Sequence, residues 1–243
     1  MSRDWDAGSY DRLPIPMTGW GAAVLDRLPL AGGETVLDAG CGTGRVTAAL
    51  RARLPRGNVV ALDGSTAMID AARERLGTER VTYLVHDLRE PIRIEPVDAV
   101  LSTATFHWIT DHERLFANLA AVMRPGAPLV AQCGGAGNLA SVVAAAGALG
   151  HDLLAAKRYA GPEETATILA AAGFTDVRCW LQDEPTPLPA DALEEYLATV
   201  VLGGEIADLP AEAGTAFVHD VASSLDAPVL DYVRLNIDAR RSA

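Results

Sequence analysis

"VLDAGCGTGRV", residues 36–46, combines a short apolar run, an aspartate and three glycines. Aliphatic residues lead up to Asp38, three closely spaced glycines follow, and residues 43–54 have the pattern of a helix. The stretch therefore predicts a strand, a glycine-rich turn and a helix. Because turns of this kind bind several nucleotide-like ligands, the residues around the turn must discriminate among them.

The same alternation of strands and helices continues along the chain. Ser65 is predicted to cap the second helix, and Thr110 with Glu113 forms a capping box for a helix that ends at Met123. This alternation indicates an α/β, doubly wound (Rossmann-like) sheet, whose ligand binds outside the carboxyl ends of the strands. The later strands are predicted at residues 57–63, 80–87, 97–106, 126–134, 174–182 and 228–238.

Composition limits the function classes. The 243 residues, 49% of them hydrophobic, can bury the core of one domain. The formal net charge is −12, Lys157 is the only lysine and no basic run appears, so nucleic acid and membrane surfaces are disfavoured partners. The cysteines Cys41, Cys133 and Cys179 are odd in number and widely spaced, as in proteins of a reducing compartment. Because no signal-peptide pattern appears, we expect a cytoplasmic protein. The expected oligomeric state is a monomer or a homodimer.

The glycine turn does not match the common nucleotide motifs. A dinucleotide fingerprint needs a third glycine at the position of Arg45, and a phosphate-binding loop needs a lysine that is absent here. Asp38 lies directly before the turn, where its carboxylate would repel a pyrophosphate but would attract an ammonium and a sulfonium. The turn therefore predicts S-adenosylmethionine as the ligand.

"VLDAGCGTG" resembles the first motif of the class I methyltransferases that use S-adenosylmethionine, and the resemblance covers residues 33–135. That family has an acid for the two ribose hydroxyls where Asp63 ends the second strand, within D-x-S-x-x-M. A vicinal diol can donate two hydrogen bonds to one carboxylate, which explains the residue type. The family places a further acid near the adenine amino group, at the position of Asp87, and residues 124–127 match its Pro-Gly turn.

The resemblance implies S-adenosylmethionine as the cofactor and S-adenosylhomocysteine as the product. Single positions also have structural explanations, because an acid after a strand commonly caps a helix, and Met68 can belong to the core, His86 to the surface and Cys41 to the packing of the turn. Three acids at three successive strand ends favour the shared ligand. The expected cofactor-binding residues are Asp38, Gly40, Cys41, Gly42, Thr43, Gly44, Asp63, Gly64, Ser65, Met68, His86, Asp87, Leu88 and Thr103.

Finer features resemble the trans-aconitate methyltransferase-like branch, namely "WDAGSYDR" (5–12) and "FHWITDH" (106–112). In this branch a segment ahead of the core covers the methyl-donor pocket, so Tyr10 is assigned to that cover; the alternative is an ordinary helix anchor. His107 follows the fourth strand, where substrate and methyl group should meet, and an imidazole titrates near neutral pH. It is the candidate base; the alternative is that it only lines the pocket.

A metal site built from His107, Asp111 and His112 is less favoured, because nothing else supplies a further ligand, and no metal is expected. The resemblance implies a seven-stranded, mostly parallel sheet in which strand 7 is antiparallel. Three domains are expected: an N-terminal helical cover, a cofactor-binding core, and a small helical cap inserted between strands 6 and 7. Their bounds are 1–30 for the cover, 31–185 with 227–243 for the core, and 186–226 for the cap. Within the cap, "ALEEYLATVVL" and "AEAGTAFVHDVASSL" are predicted to form two helices.

The cap indicates the acceptor. From Leu181 to Val233 there is no lysine or arginine, whereas a tricarboxylate such as trans-aconitate needs several arginines. We expect a small neutral, apolar or cationic acceptor, methylated on oxygen, nitrogen or carbon by in-line displacement. The alternative is carboxyl O-methyl transfer that relies on Arg12, Arg45 or Arg234, outside the cap. An alternative of another class is a protein that binds S-adenosylmethionine without catalysis; a nicotinamide-dependent reductase lacks its Tyr-x-x-x-Lys pair.

Overall fold

The computed structural model describes residues 17–207 and 209–243. The strands are β1 (Thr35–Ala39), β2 (Asn58–Asp63), β3 (Val81–Val85), β4 (Ala99–Thr103), β5 (Pro128–Gly134), β6 (Phe174–Pro187) and β7 (Val229–Arg241). The helices are α1 (Met17–Arg27), α2 (Arg45–Ala52), α3 (Thr66–Leu76), α4 (His112–Ala121), α5 (Ala140–Ala148), α6 (Pro162–Ala171), α7 (Leu193–Tyr196), α8 (Gly203–Ile206) and α9 (Ala211–Ser223). Within the described residues, none of these helices has the length and apolar character needed to cross a membrane.

The strands form one seven-stranded sheet in the order β3-β2-β1-β4-β5-β7-β6. Strands β1 to β5 pair in parallel, and β7 runs antiparallel to both of its neighbours, β5 and β6. The expected fold class is confirmed, including the antiparallel seventh strand. The order reverses between β1 and β4, so these two strands form the switch point where such sheets bind ligands.

Alternating side chains of the buried strands supply an apolar layer on each face of the sheet. In β1, Val36 packs into the layer with Leu25 of α1 and Leu50 of α2, whereas the adjacent Leu37 packs into the layer with Phe116 of α4. This is the two-faced burial expected of parallel strands that helices cover on both sides. Since α1 packs against the sheet, this part of the proposed N-terminal cover contributes to the core.

The cap lies between β6 and β7, as predicted, and includes α7, α8 and α9. The first of its two predicted helices is interrupted by a π-helical turn, Leu197–Val201, between α7 and α8. A third apolar cluster joins Leu197 and Val218 of the cap to Val142 of α5 and Tyr232 of β7. The apolar faces of the cap helices are therefore used to pack the cap onto the core.

Several element boundaries differ from the sequence prediction, and one helix cap is confirmed. The capping box of Thr110 and Glu113 is wrong: Asp111 caps α4, since its Oδ1 accepts the Arg114 N–H at 2.9 Å. Asp111 is an equally good cap one position later, so the helix begins at His112. Strand β6 continues to Pro187 because β7 pairs with it along that length. Ser65 does cap α3.

Candidate active site

The switch point brings the ends of β1 and β4 into contact. The Thr105 hydroxyl, just past β4, donates to the Gly40 carbonyl at 3.2 Å and to the Thr103 carbonyl at 3.0 Å. The glycine turn after β1 is therefore fixed against the segment that carries His107. The predicted cofactor residues and the predicted catalytic residue share this edge of the sheet.

The glycine turn is shaped for close approach. Gly40 has φ +84°, and a Cβ at this position would clash with the Thr105 side chain. Gly42 has φ +54°, and nothing lies within 4 Å of the position of its Cβ, so this part of the turn faces open space. The backbone N–H groups of Gly40 and Cys41 donate to the Leu62 carbonyl at 2.8 and 3.0 Å. Burial raises the pKa of the Cys41 thiol, which is buried within the turn.

Asp38 is a fully buried carboxylate with one unpartnered oxygen. Its Oδ2 accepts the Thr47 hydroxyl at 2.7 Å, whereas Oδ1 has no hydrogen-bond partner among the described residues. Burial, with a smaller contribution from the charge of Asp63, raises the pKa of Asp38 to about 6. An unpartnered buried acceptor costs about 1–3 kcal/mol, so Oδ1 fits the ammonium of a ligand in the adjacent turn.

Asp63 links the ends of β1 and β2. Its Oδ2 accepts the Gly42 N–H at 3.0 Å and its Oδ1 accepts the Ser65 N–H at 2.9 Å. Burial raises the pKa of Asp63, and these backbone hydrogen bonds, with one from Gly64, oppose the rise. Each oxygen keeps a lone pair for a further donor, which matches the two hydroxyls of a ribose. Met68 is buried nearby, and its N–H donates to the Ser65 hydroxyl at 3.3 Å.

The three residues after β3, His86, Asp87 and Leu88, contact a backbone carbonyl, an arginine and the apolar core, respectively. Asp87 is held by Arg89, whose Nε lies 3.0 Å from both carboxylate oxygens, and this hydrogen bonding lowers the pKa of Asp87. An adenine amino group would share the carboxylate with that guanidinium. The His86 ring contacts the Glu90 carbonyl at 3.2 Å, and the Leu88 side chain packs into the core.

The remaining predicted residues lie along the same edge. Thr43 is buried at the start of α2, and Gly44 adopts a φ of +82° as the residue before that helix. Gly64 follows β2, and Thr103 ends β4. The structure thus brings together the residues after β1 and β2 and the end of β4. Tyr10 lies outside the described residues.

His107 is a buried, neutral imidazole. It lies in the short 3-10 helix Phe106–Trp108, and its Nδ1 accepts the Gly134 N–H at 3.3 Å, which leaves the proton on Nε2. Burial lowers the pKa of His107 well below its usual value, and the positive charges of Arg234 and Lys157 lower it further. The expectation that His107 titrates near neutral pH is therefore wrong.

Lys157 and Glu205 form a buried ion pair that sequence reasoning missed. The Lys157 side chain is 4% exposed, and its Nζ lies 3.0 Å from the Oε1 of Glu205. The same ammonium donates to the Val201 carbonyl at 3.2 Å and lies 5.1 Å from the centroid of the Trp108 ring. The Oε2 of Glu205 is buried and has no hydrogen-bond partner among the described residues. A single lysine in an acidic chain was the available signal.

Aromatic rings and one arginine complete this side of the site. The Tyr159 ring lies 5.9 Å from the His107 ring, centroid to centroid. Arg234 is buried with its guanidinium carbon 4.8 Å from the centroid of Trp20, and Trp20 packs edge-on against Tyr232 at 5.2 Å. Arg234 is one of the arginines outside the cap that the sequence analysis named for a carboxylate acceptor.

The residues weighed as metal ligands have other partners. The His112 Nε2 lies 3.1 Å from the Phe106 carbonyl, and Asp111 caps α4. Within residues 17–207 and 209–243, no three histidine, cysteine, aspartate or glutamate side chains are grouped as a metal site requires. The geometry therefore gives no support for a metal centre around His107.

Comparisons with known proteins agree with this geometry. Residues 36–126 match the family described as methyltransferase domain. A trans-aconitate 2-methyltransferase of Azoarcus sp. (strain BH72) is 36% identical over 128 residues, which cover 53% of this chain and 50% of the relative. A malonyl-acyl-carrier protein O-methyltransferase of Anoxybacillus flavithermus is 34% identical over 114 residues, or 47% of this chain and 44% of the relative. The chain spans about half the length of the curated relatives it matches.

Among solved structures, phosphoethanolamine N-methyltransferase 2 of Haemonchus contortus has a TM-score of 0.63 at 24% identity. The alignment covers 92% of this chain and 52% of that chain, whose structures contain S-adenosylhomocysteine or S-adenosyl-L-methionine. At this identity the likeness concerns the fold. Residues 36–126 are therefore similar to a methyltransferase domain, the chain has the α/β fold of methyltransferases such as that of Haemonchus contortus, and about half of it is similar to trans-aconitate 2-methyltransferases.

Proposed function

We propose that this protein transfers a methyl group from S-adenosylmethionine to a small-molecule acceptor. The observation that carries the proposal is the buried, unpartnered Oδ1 of Asp38 beside an open glycine turn. When bound, the cofactor supplies an electrophilic methyl group on a sulfonium. A site with this carboxylate suits a cationic ligand and disfavours a pyrophosphate.

Three acids divide the recognition of the cofactor in this proposal. Asp38 binds the ammonium group, Asp63 accepts hydrogen bonds from the ribose hydroxyls, and Asp87 accepts one from the adenine amino group. Gly42 leaves room for the ligand because no atom occupies the space where a Cβ would lie. Tyr10 is proposed to cover the methyl-donor pocket, where an aromatic face stabilises a positive charge and excludes water.

His107 is proposed to orient the acceptor rather than to remove its proton. Its Nδ1 is occupied by the Gly134 N–H, and its low pKa keeps Nε2–H as a donor. In-line displacement gains most of its rate from positioning, so a strong base is optional. A general base is worth about 10²–10⁴-fold, so we expect His107→Gln to lower kcat by less than about 100-fold, with no change in the pH profile between pH 6 and 8. A larger loss with a changed profile would identify a base.

For the acceptor, we propose a neutral, apolar or cationic small molecule. The cap contains no lysine or arginine that could face the acceptor. The ammonium of Lys157, outside the cap, is already paired with Glu205. A polycarboxylate needs several guanidinium groups in its pocket to offset the loss of hydration of its charges.

Carboxyl O-methyl transfer is the second candidate. It is favoured by the buried guanidinium of Arg234, whose charge acts on His107, and by relatives named trans-aconitate 2-methyltransferase. In this alternative Arg234 pairs with an acceptor carboxylate, as the sequence analysis allowed for arginines outside the cap.

The test measures S-adenosylhomocysteine release from purified protein with trans-aconitate, benzyl alcohol or benzylamine. Calorimetric titration with S-adenosylhomocysteine and with NADH runs in parallel. Turnover of the alcohol or the amine supports the first acceptor class, and turnover confined to trans-aconitate supports the second. If S-adenosylhomocysteine binds but no probe is methylated, the result supports a protein that binds the cofactor without catalysis. Binding of NADH alone would overturn the proposed function.

A further inference from the structure

We propose that Glu205 binds a hydrogen-bond donor of the methyl acceptor, and that the acceptor therefore carries a hydroxyl or an amino group at this point. The inference rests on the proposed function and narrows its acceptor class. It assigns to one buried carboxylate in the cap a role in choosing the substrate.

The two oxygens of Glu205 have different surroundings. Oε1 accepts a hydrogen bond from Lys157 at 3.0 Å, whereas Oε2 is buried without a partner among the described residues. The side chain is 14% exposed. Buried carboxylate oxygens are almost always hydrogen-bonded, so an exception needs a partner that arrives from outside the fold. A donor on a bound ligand meets that need.

Glu205 lies on the acceptor side of the site. Its partner Lys157 stacks over Trp108, the residue after His107. The charge of Glu205 contributes to the raised pKa of Tyr159, whose ring packs 5.9 Å from His107. His107 and Trp108 follow β4, and Thr105 of the same segment contacts the glycine turn. The ion pair of Lys157 and Glu205 therefore meets this segment from the side of the cap.

The carboxylate is held in a fixed position. Lys157 donates both to Glu205 and to the Val201 carbonyl, at 3.0 and 3.2 Å. Val201 ends the π-helical turn, in which the Leu202 N–H donates to the Leu197 carbonyl at 2.7 Å. Such turns are frequent at functional sites, because they shift the side chains that follow. One oxygen is thus anchored by a buried cation, while the other is held in place without a hydrogen-bond partner among the described residues.

The chemistry separates the two acceptor classes. A hydroxyl or an amino group can donate to Oε2, and a charge-assisted hydrogen bond of this kind is stronger than a neutral one. A carboxylate acceptor would meet Oε2 with another negative charge and no donor, which is unfavourable in a buried site. Glu205 therefore favours alcohols, phenols and amines over polycarboxylates.

The experiment measures binding of three probes of similar size to the full chain saturated with S-adenosylhomocysteine. Benzyl alcohol and benzylamine carry donors, and ethylbenzene carries none. The quantity compared is the affinity for each donor probe relative to ethylbenzene, in the wild type and in Glu205→Gln. Because each probe loses the same hydration in both proteins, the comparison isolates the contribution of Glu205.

We expect this ratio to fall at least tenfold in Glu205→Gln and to stay unchanged in Glu194→Gln, a matched change at an exposed cap residue. Lys157→Met/Glu205→Gln, which removes both buried charges, should give the same fall and guards against misfolding of the single variant. An unchanged ratio, or a wild type that binds neither donor probe, would overturn the proposal. If the wild type does not bind S-adenosylhomocysteine at all, that result would instead contradict the proposed function.

Discussion

The cofactor side and the acceptor side of this site bury charge in opposite ways. At the ends of β1 and β2, Asp38 is a fully buried and Asp63 a half-buried carboxylate, and their hydrogen-bond partners are neutral hydroxyl and backbone N–H groups. Between α5 and α6 and within β7, the buried charges include the cations Lys157 and Arg234, and Lys157 is paired with the carboxylate of Glu205. Burial raises the pKa of Asp38 and of Asp63, and it lowers the pKa of His107.

The two sides are therefore suited to different ligands. A carboxylate with neutral partners gains most when a cationic ligand arrives, so the first side is suited to one fixed ligand. On the acceptor side, Lys157 and Glu205 satisfy each other except at the Oε2 of Glu205. That oxygen is stabilised only by a ligand that brings a hydrogen-bond donor, so we expect this side to select ligands by that donor. Substitutions on each side of the site test this difference.

Lys157→Met should have the largest effect on stability. Breaking a buried pair leaves Glu205 charged without its partner, and such changes cost about 3–5 kcal/mol. Urea denaturation without ligand measures the loss, and Lys157→Met/Glu205→Gln should recover most of it. A loss under about 1 kcal/mol would mean that the pair behaves like an exposed one, and the contrast between the two sides would disappear.

Gly40→Ala should destabilise the fold by about 2–4 kcal/mol, because the new Cβ meets Thr105 and the residue must keep a positive φ. Gly42→Ala is the matched control: its Cβ meets no atom within 4 Å, so only the strain of φ, about 1–2 kcal/mol, should appear. Gly42→Ala should nevertheless weaken S-adenosylhomocysteine binding, measured by calorimetry. Unchanged binding would show that the cofactor does not use this face of the turn.

The pH dependence of Asp38 should have opposite signs for folding and for binding. Because its pKa is about 6 in the folded protein and 3.8 by default, the folded state holds a proton in this range that the unfolded state has lost. The free energy of unfolding of the unliganded protein should therefore fall by about 2 kcal/mol as the pH rises from about 4 to 6. Urea denaturation across this range measures the change.

Cofactor affinity should move the other way, because the ammonium needs the ionised carboxylate. Below pH 6 the affinity for S-adenosylhomocysteine should fall, approaching about tenfold per pH unit. Asp38→Asn should remove both pH dependences. If the variant keeps the wild-type pH dependence of binding, another group holds the ammonium.

Asp63→Ala should weaken S-adenosylhomocysteine binding by about 1.5–3 kcal/mol, the range for hydrogen bonds to a charged group. Asp70→Ala, an exposed aspartate on α3 whose partner is Arg73, is the control and should bind normally. Calorimetry at pH 7.5 measures both. Equal affinity for the wild type and Asp63→Ala would contradict the assignment of this carboxylate to the ribose.

The cofactor side could be predicted from the sequence because its groups are local. The strand, the turn and Asp38 lie within a dozen residues, and Asp63 and Ser65 end the next strand in the same way. The acceptor side could not, because Lys157 and Glu205 are 48 residues apart and meet only when the cap packs on α5 and β7. The pKa of His107 likewise depends on cations that the sequence places far from it.

The error at α4 has a different physical cause. Thr110 and Asp111 are both good N-cap residues, and pattern alone cannot choose between neighbours; the Asp111 contact with the Arg114 N–H decides it. The broken first helix of the cap is of the same kind, since nothing in its apolar pattern distinguishes a π-helical turn from an α-helix.

Lys157 also has a chemical consequence. It is the only side-chain amine in the 243 residues, and in the folded protein its Nζ is enclosed by the cap. Acylating reagents that need an uncharged, solvent-accessible amine can reach it only when the cap separates from the core. The rate at which such a reagent labels Lys157, measured separately from labelling of the chain's α-amine, therefore reports how often the cap opens, with no engineered probe, and a bound acceptor should slow it.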